Sequence, residues 1–202
     1  MRVAVETVLR NTRDWLERAV IGLNLCPFAK AVHVRGQIHF AVSRAQNSKL
    51  LLLDLKRELL ELAATDPEVR DTTLLIAPGC LHEFLDFNHF LVEAGRMLVA
   101  LSLDGAIQIA SFHPDYQFAN NDSSDIANYT NRAPYPTLHL LREASVARAV
   151  KAFPQAEAIF ERNIQTLREL GHAGWSCLAV ASTTPSVQPA QGSATSVCQI
   201  QP

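Results

Sequence analysis

Three short apolar runs, separated by two long stretches of helical periodicity, constrain what this chain can fold into more than any other feature. Residues 37–42 alternate Ile38, Phe40 and Val42 with Gln37, His39 and Ala41; residues 72–77 read TTLLIA before Pro78 and Gly79; residues 106–111 follow Gly105. Alternation at period two, or a brief apolar run closed by glycine, proline or serine, is a strand signature. Between the first two runs, residues 48–64 place Leu50, Leu51, Leu53, Leu55, Leu59, Leu60 and Leu62 among Lys56, Arg57, Glu58 and Glu61. Between the second and third, Phe87, Phe90, Leu91, Ala94, Met97 and Leu98 recur at helical steps. The alternation predicts an α/β fold: a single domain with a small sheet built from a βαβαβ core, right-handed crossovers and flanking helices. A ferredoxin-like α+β sandwich is the alternative, because helices of this length suit both.

Elsewhere, Val5, Val8, Leu9, Leu16, Ala19, Val20 and Leu23 form one apolar face of a helix over residues 5–25, which Asn24, Cys26 and Pro27 stop. Thr137 is read as the cap of a helix over residues 138–151. Pro154 opens another, which Gly171 ends. After Trp175 the composition turns to Ser, Thr, Gln, Pro and Gly, so residues 1–180 are read as the domain and 181–202 as a disordered polar tail.

The chain has 202 residues, 48% of them hydrophobic, which suffices for one substantial core and leaves little for a second. A formal net charge of −2 gives no electrostatic footprint for nucleic acid or an anionic membrane. No run approaches the roughly 20 apolar residues of a membrane span. The start MRVAVETVLRNTRDWLERAV places charges where a signal peptide would be apolar, so a cytoplasmic location is expected. Cys26, Cys80, Cys177 and Cys198 have no CxxC spacing and are expected to be reduced thiols.

The richest chemistry lies in residues 107–143, IQIASFHPDYQFANNDSSDIANYTNRAPYPTLHLLRE. A long connection that is aromatic and stiffened by proline, yet crowded with polar groups, reads as functional rather than disordered. On the predicted helix, His139 and Glu143 stand a turn apart. Together with His113 and Asp115 they would bring two imidazoles and two carboxylates together, a set suited to acid/base work or to a divalent metal held by His113, His139 and Glu143. Arg132 is the expected partner of substrate charge, with Asn128, Asn131, Tyr135, Arg142 and Lys30 as further substrate-binding candidates. Cys26, in LNLCPFAK, is the candidate nucleophile of a thiol enzyme, although the end of a helix carries the wrong partial charge to favour its thiolate. Neither GxGxxG nor GxxxxGK[ST] occurs, which disfavours nucleotide binding of those types.

The segments WLERAVIGLNLCPFAKAV, TTLLIAP, DFNHFL, IQIASFHPDYQFA and NYTNRAPYPTLHLLREASV resemble the bacterial domain-of-unknown-function family 1415 over nearly the whole chain before the tail. FHPDYQF and NYTNRxPYPTLHLLRE carry the resemblance. It implies one bacterial domain and brings no reaction, cofactor or catalytic residue with it. Three functions remain in view: an enzyme acting on a small anionic or polar metabolite through the His/Asp/Glu/Arg set, a cysteine enzyme using Cys26, and a non-catalytic module that docks a partner through its aromatic loop.

Overall fold

The computed structural model of the protein describes residues 3–152 and 158–181. Four strands, β1 (Ile38–Val42), β2 (Thr72–Ile76), β3 (Ile107–Phe112) and β4 (Thr137–Arg142), form one sheet in the order β1-β2-β4-β3. Six helices accompany them: α1 (Val5–Trp15), α2 (Ala29–Val34), α3 (Ser48–Ala64), α4 (Phe84–Ala100), α5 (Glu143–Ala152) and α6 (Ile159–Cys177). A π-helical segment, Leu16–Ile21, continues α1, and a 3₁₀ turn, Ile126–Thr130, interrupts the long loop after β3.

The βαβαβ core is β1-α3-β2-α4-β3. β1 and β2 pair in parallel, with Ile38 opposite Thr72; β4 pairs antiparallel with both β2 and β3, which leaves β3 parallel to β2. Helices cover both faces of the sheet, whereas a ferredoxin-like sandwich carries them on one. Under one face, Leu51, Leu55, Leu59 and Leu62 of α3 and Phe87, Phe90 and Ala94 of α4 pack on Ala41, Leu75, Leu138 and Leu140. The four leucines of α3 lose all solvent contact, each stabilising the fold by about 1.5–3 kcal/mol. Asn47 starts that helix by accepting a hydrogen bond from the Leu50 amide at 3.0 Å. The other face packs on Val8 of α1, which meets Leu74, Ile76 and Tyr135, and on Trp15, whose ring meets Phe112 edge-on at 5.1 Å.

Residues 137–142 are a strand and not the first turns of a helix. TLHLLR satisfies both periods, since Leu138 and Leu141 suit a helix and Leu138 and Leu140 a strand face. Pairing on both sides decides for the strand. α5 therefore begins at Glu143, whose amide donates to the Ala106 carbonyl at 2.9 Å. Gly171 takes φ 64° and ψ 175°, which breaks the helical path within α6, so the helix that starts at Ile159 ends there as expected and a second helical stretch follows to Cys177. Pro154 and the expected tail over 182–202 lie outside the described residues. Cys26 and Cys80 are free thiols, as expected, and Cys198 lies outside the described residues.

Candidate functional site

His113 and His139 do not converge. Because β4 alternates, Leu138 and Leu140 enter the core beneath α3 and α4, and His139 points to the opposite face, where its ring lies 6.3 Å from that of Phe112. There burial pushes the His139 pKa down to about 4. His113 follows β3 and is fully buried on the α4 side, its ring 5.4 Å from Phe84 and 5.1 Å from Phe87. Its Nε2 lies 3.0 Å from the Leu81 carbonyl oxygen, and its Nδ1 accepts the Asp115 amide proton at 3.0 Å. A carbonyl can only accept and an amide N–H can only donate, so this bonding assigns the neutral ring with its hydrogen on Nε2. Burial is also the main cause that holds the His113 pKa below the ordinary imidazole value. Asp115 is exposed, and Glu143 sits at the start of α5 instead of one helical turn beyond His139. Among the described residues, no group of three or more His, Cys, Asp or Glu side chains is placed to hold a metal ion.

The other residues singled out in the long loop mostly hold the loop itself. Arg132 donates from Nε to the Tyr116 carbonyl at 3.1 Å and from Nη2 to the Ser123 carbonyl at 2.7 Å, with its guanidinium 4.4 Å over the Tyr129 ring. Asn128 is fully buried; its Oδ1 accepts from the Phe118 amide, and its Nδ2 donates to the Asp122 carbonyl. Asn131 donates to the Ser111 carbonyl at 3.3 Å. Tyr135 is buried, and its hydroxyl accepts from Asn11 at 2.9 Å. Arg142 reaches the carbonyls that end α3, and Lys30 is exposed. Cys26 is half-buried. Burial raises its thiol pKa, offset in part by the backbone amides of Phe28 and Ala29, so a reactive thiolate is disfavoured.

A concave site does form, one loop away. The segments after β1 and β2 and the first turns of α3 and α4 enclose a cleft of about 790 Å³, lined among others by Gln46, Ser48, Cys80, His82, Asp86 and His89. Glu83 and Glu93 complete its carboxylates, and among the described residues no Lys or Arg lines it. Gly79 lets the two loops touch: a β-carbon there would come within 2.7 Å of the Ala45 carbonyl oxygen and collide with the Gln46 amide. Asp86, in the first turn of α4, brings negative charge where the helix dipole favours it. Burial and the negative charge of Asp54 raise the Cys80 thiol pKa, so the imidazoles are the cleft's better proton carriers.

This location was readable in principle, because open parallel sheets bind ligands beyond their strands' carboxyl ends. The sequence places its richest chemistry in the loop after β3, and neither His82 nor His89 belongs to that set. The signal was the Pro78-Gly79 turn standing directly between a buried strand and a helix. His113 is the link between the two regions, since the carbonyl it grips belongs to Leu81 in the cleft wall.

Among the described residues, no helix is long and apolar enough to cross a membrane. Neither the curated proteins nor the solved structures contain a match to this chain. The model of the family described as protein of unknown function (DUF1415) matches residues 7–177, and the chain belongs to that family.

Proposed function

We propose that the protein binds a small polar metabolite in the cleft beyond the carboxyl ends of β1 and β2, and that His82 and His89 exchange protons with it. The observation that carries this reading is positional. Two adjacent parallel strands deliver their following loops, and the two helices that follow deliver their first turns, to one concavity. That is where the parallel architecture leaves room for a ligand. Its volume, about 790 Å³, lies within the range of roughly 300–1,000 Å³ typical of small-molecule sites. Three carboxylates, with no lining Lys or Arg among the described residues, favour a neutral or amine-bearing molecule over an anion. Histidine is the side chain best suited to proton transfer near cellular pH, which makes acid/base chemistry the reaction class this lining supports.

The test is a titration of the full ¹⁵N-labelled chain with amino acids, polyamines, sugars, citrate and inorganic phosphate, read by amide shifts. Saturable shifts confined to residues 46–48 and 79–93, weakened in His82→Ala and His89→Ala, are the expected result. Shifts centred on Arg132 and Tyr129, or a cleft silent to every probe, would overturn the reading.

A further inference from the structure

The cleft wall contains a residue in a backbone conformation that its side chain disfavours. Leu81 has φ 57°, in the left-handed region, where a residue with a β-carbon is strained and persists only when its surroundings impose the geometry. Its carbonyl oxygen is held by His113 Nε2 at 3.0 Å, and the imidazole is itself clamped by Phe84, Phe87 and the Asp115 amide. The loop after β3 thereby grips the loop after β2. Only a neutral imidazole can make both of its bonds.

We propose that His113 is a positioning residue that keeps Leu81 left-handed, and that a second proton on its ring releases this wall of the cleft. A hydrogen added to Nδ1 meets the Asp115 N–H, donor against donor, and the turn bond between them is lost. The Nε2–H bond to Leu81 survives protonation and favours the charged ring, but the imidazolium is a charge buried against two phenylalanines, and that burial, the larger effect, favours its movement toward solvent and away from Leu81. The groups that face the ring are known. The loop before α4 brings the Leu81 carbonyl and Glu83, which favour the proton, and His82, which opposes it; the ring's own turn brings Asp115, which favours it; α4 brings the rings of Phe84 and Phe87. Burial outweighs the Leu81 carbonyl and the two carboxylates, so the latch is closed at neutral pH and opens on acidification. The inference concerns the cleft of the proposed function, but its readout needs no ligand, so either can fail without the other.

The experiment follows amide and imidazole resonances of the full chain as pH is lowered from neutrality to about 4.5, below the ordinary histidine range. The amides of Leu81 and Asp115 are expected to shift together at the midpoint of the His113 ring. The HN–Hα coupling of Leu81 should report the loss of positive φ over the same step. In H113Q, whose amide nitrogen can reach Leu81 but does not titrate, that shared step disappears. Amides of Leu81 and Asp115 that ignore the His113 titration, or that still move together in H113Q, would refute the latch. If H113Q does not fold, L81G decides, because glycine adopts positive φ without strain. Gly79 and Cys80 should then stay in place through the His113 step, and movement as large as in the unmodified chain overturns the proposal.

Discussion

A β-carbon on Gly79 would stand 2.7 Å from the carbonyl oxygen of Ala45, so the loops after β2 and β1 meet backbone to backbone. Contact this close leaves nothing flexible to yield on the Ala45 side. Gly79→Ala is expected to lower stability by about 1–3 kcal/mol and to displace the amides of residues 45–48. Gly95 is the control: it lies in α4 with open space around its β-position, and Gly95→Ala should raise stability by about 0.5–1 kcal/mol. Urea denaturation of both variants measures the contrast.

Arg142 was read as a substrate-binding group, yet its guanidinium ties β4 to the end of α3. Its Nη2 lies 2.5 Å from the Leu62 carbonyl oxygen, 2.6 Å from that of Thr65 and 3.1 Å from that of Arg70. Arg142→Met should therefore cost about 2–4 kcal/mol, since more than one carbonyl loses a charged donor. Lysine, a single point charge without the planar fork, should restore less than half of that. Ligand binding in the cleft should be unchanged at protein concentrations and temperatures where the variant is folded. Weaker binding by folded Arg142→Met would reinstate the substrate role.

The parts of the fold that were legible in the sequence are those where one period stands alone. α3 repeats leucine at helical steps, and β2 is a bare apolar run between a loop and Pro78, so both are found where expected. β4 escaped because TLHLLR obeys two periods, and what chooses between them is the vacant position between β2 and β3, a long-range fact. That single misreading displaced the expected site, because a helix puts His139 and Glu143 side by side and a strand turns His139 to the face opposite Leu138 and Leu140. The cleft is assembled from segments more than thirty positions apart, Gln46 to Ser48 with Gly79 to Glu93. Nothing local to either segment announces the other.

Glu58 and Arg70 form a buried pair, 2.6 Å apart, beneath the β1 edge of the sheet, with Arg70 also donating to Thr73 at 2.9 Å. Removing one partner leaves the other charge without its closest counterion. Arg70→Met is expected to destabilise by about 3–5 kcal/mol. The double variant Glu58→Met/Arg70→Met should recover most of that loss, because two apolar side chains need no compensation. Equal destabilisation by the single and double variants in chemical denaturation would show that the hydrogen bonds to neighbours, and not the pair itself, carry the energy.

His139 gives the fold a pH dependence with a definite sign. In the unfolded chain an imidazole takes up its proton near pH 6.5, whereas in the folded protein burial delays this to about pH 4. Between those values the unfolded state binds more protons, so stability must fall as pH falls. The contribution is intact above about pH 6.5 and is lost progressively down to about pH 4, up to roughly 3 kcal/mol in all. His113 adds to the same trend, since its pKa is also lowered. Replacing His139 with leucine, which cannot titrate and suits the half-buried position beside Phe112, should flatten most of the slope over that window. H113Q should remove a further part, and His39, whose pKa burial also lowers, keeps the rest. Denaturation midpoints at closely spaced pH values separate the two histidines, and a slope unchanged in the His139→Leu variant would place the proton uptake elsewhere in the protein.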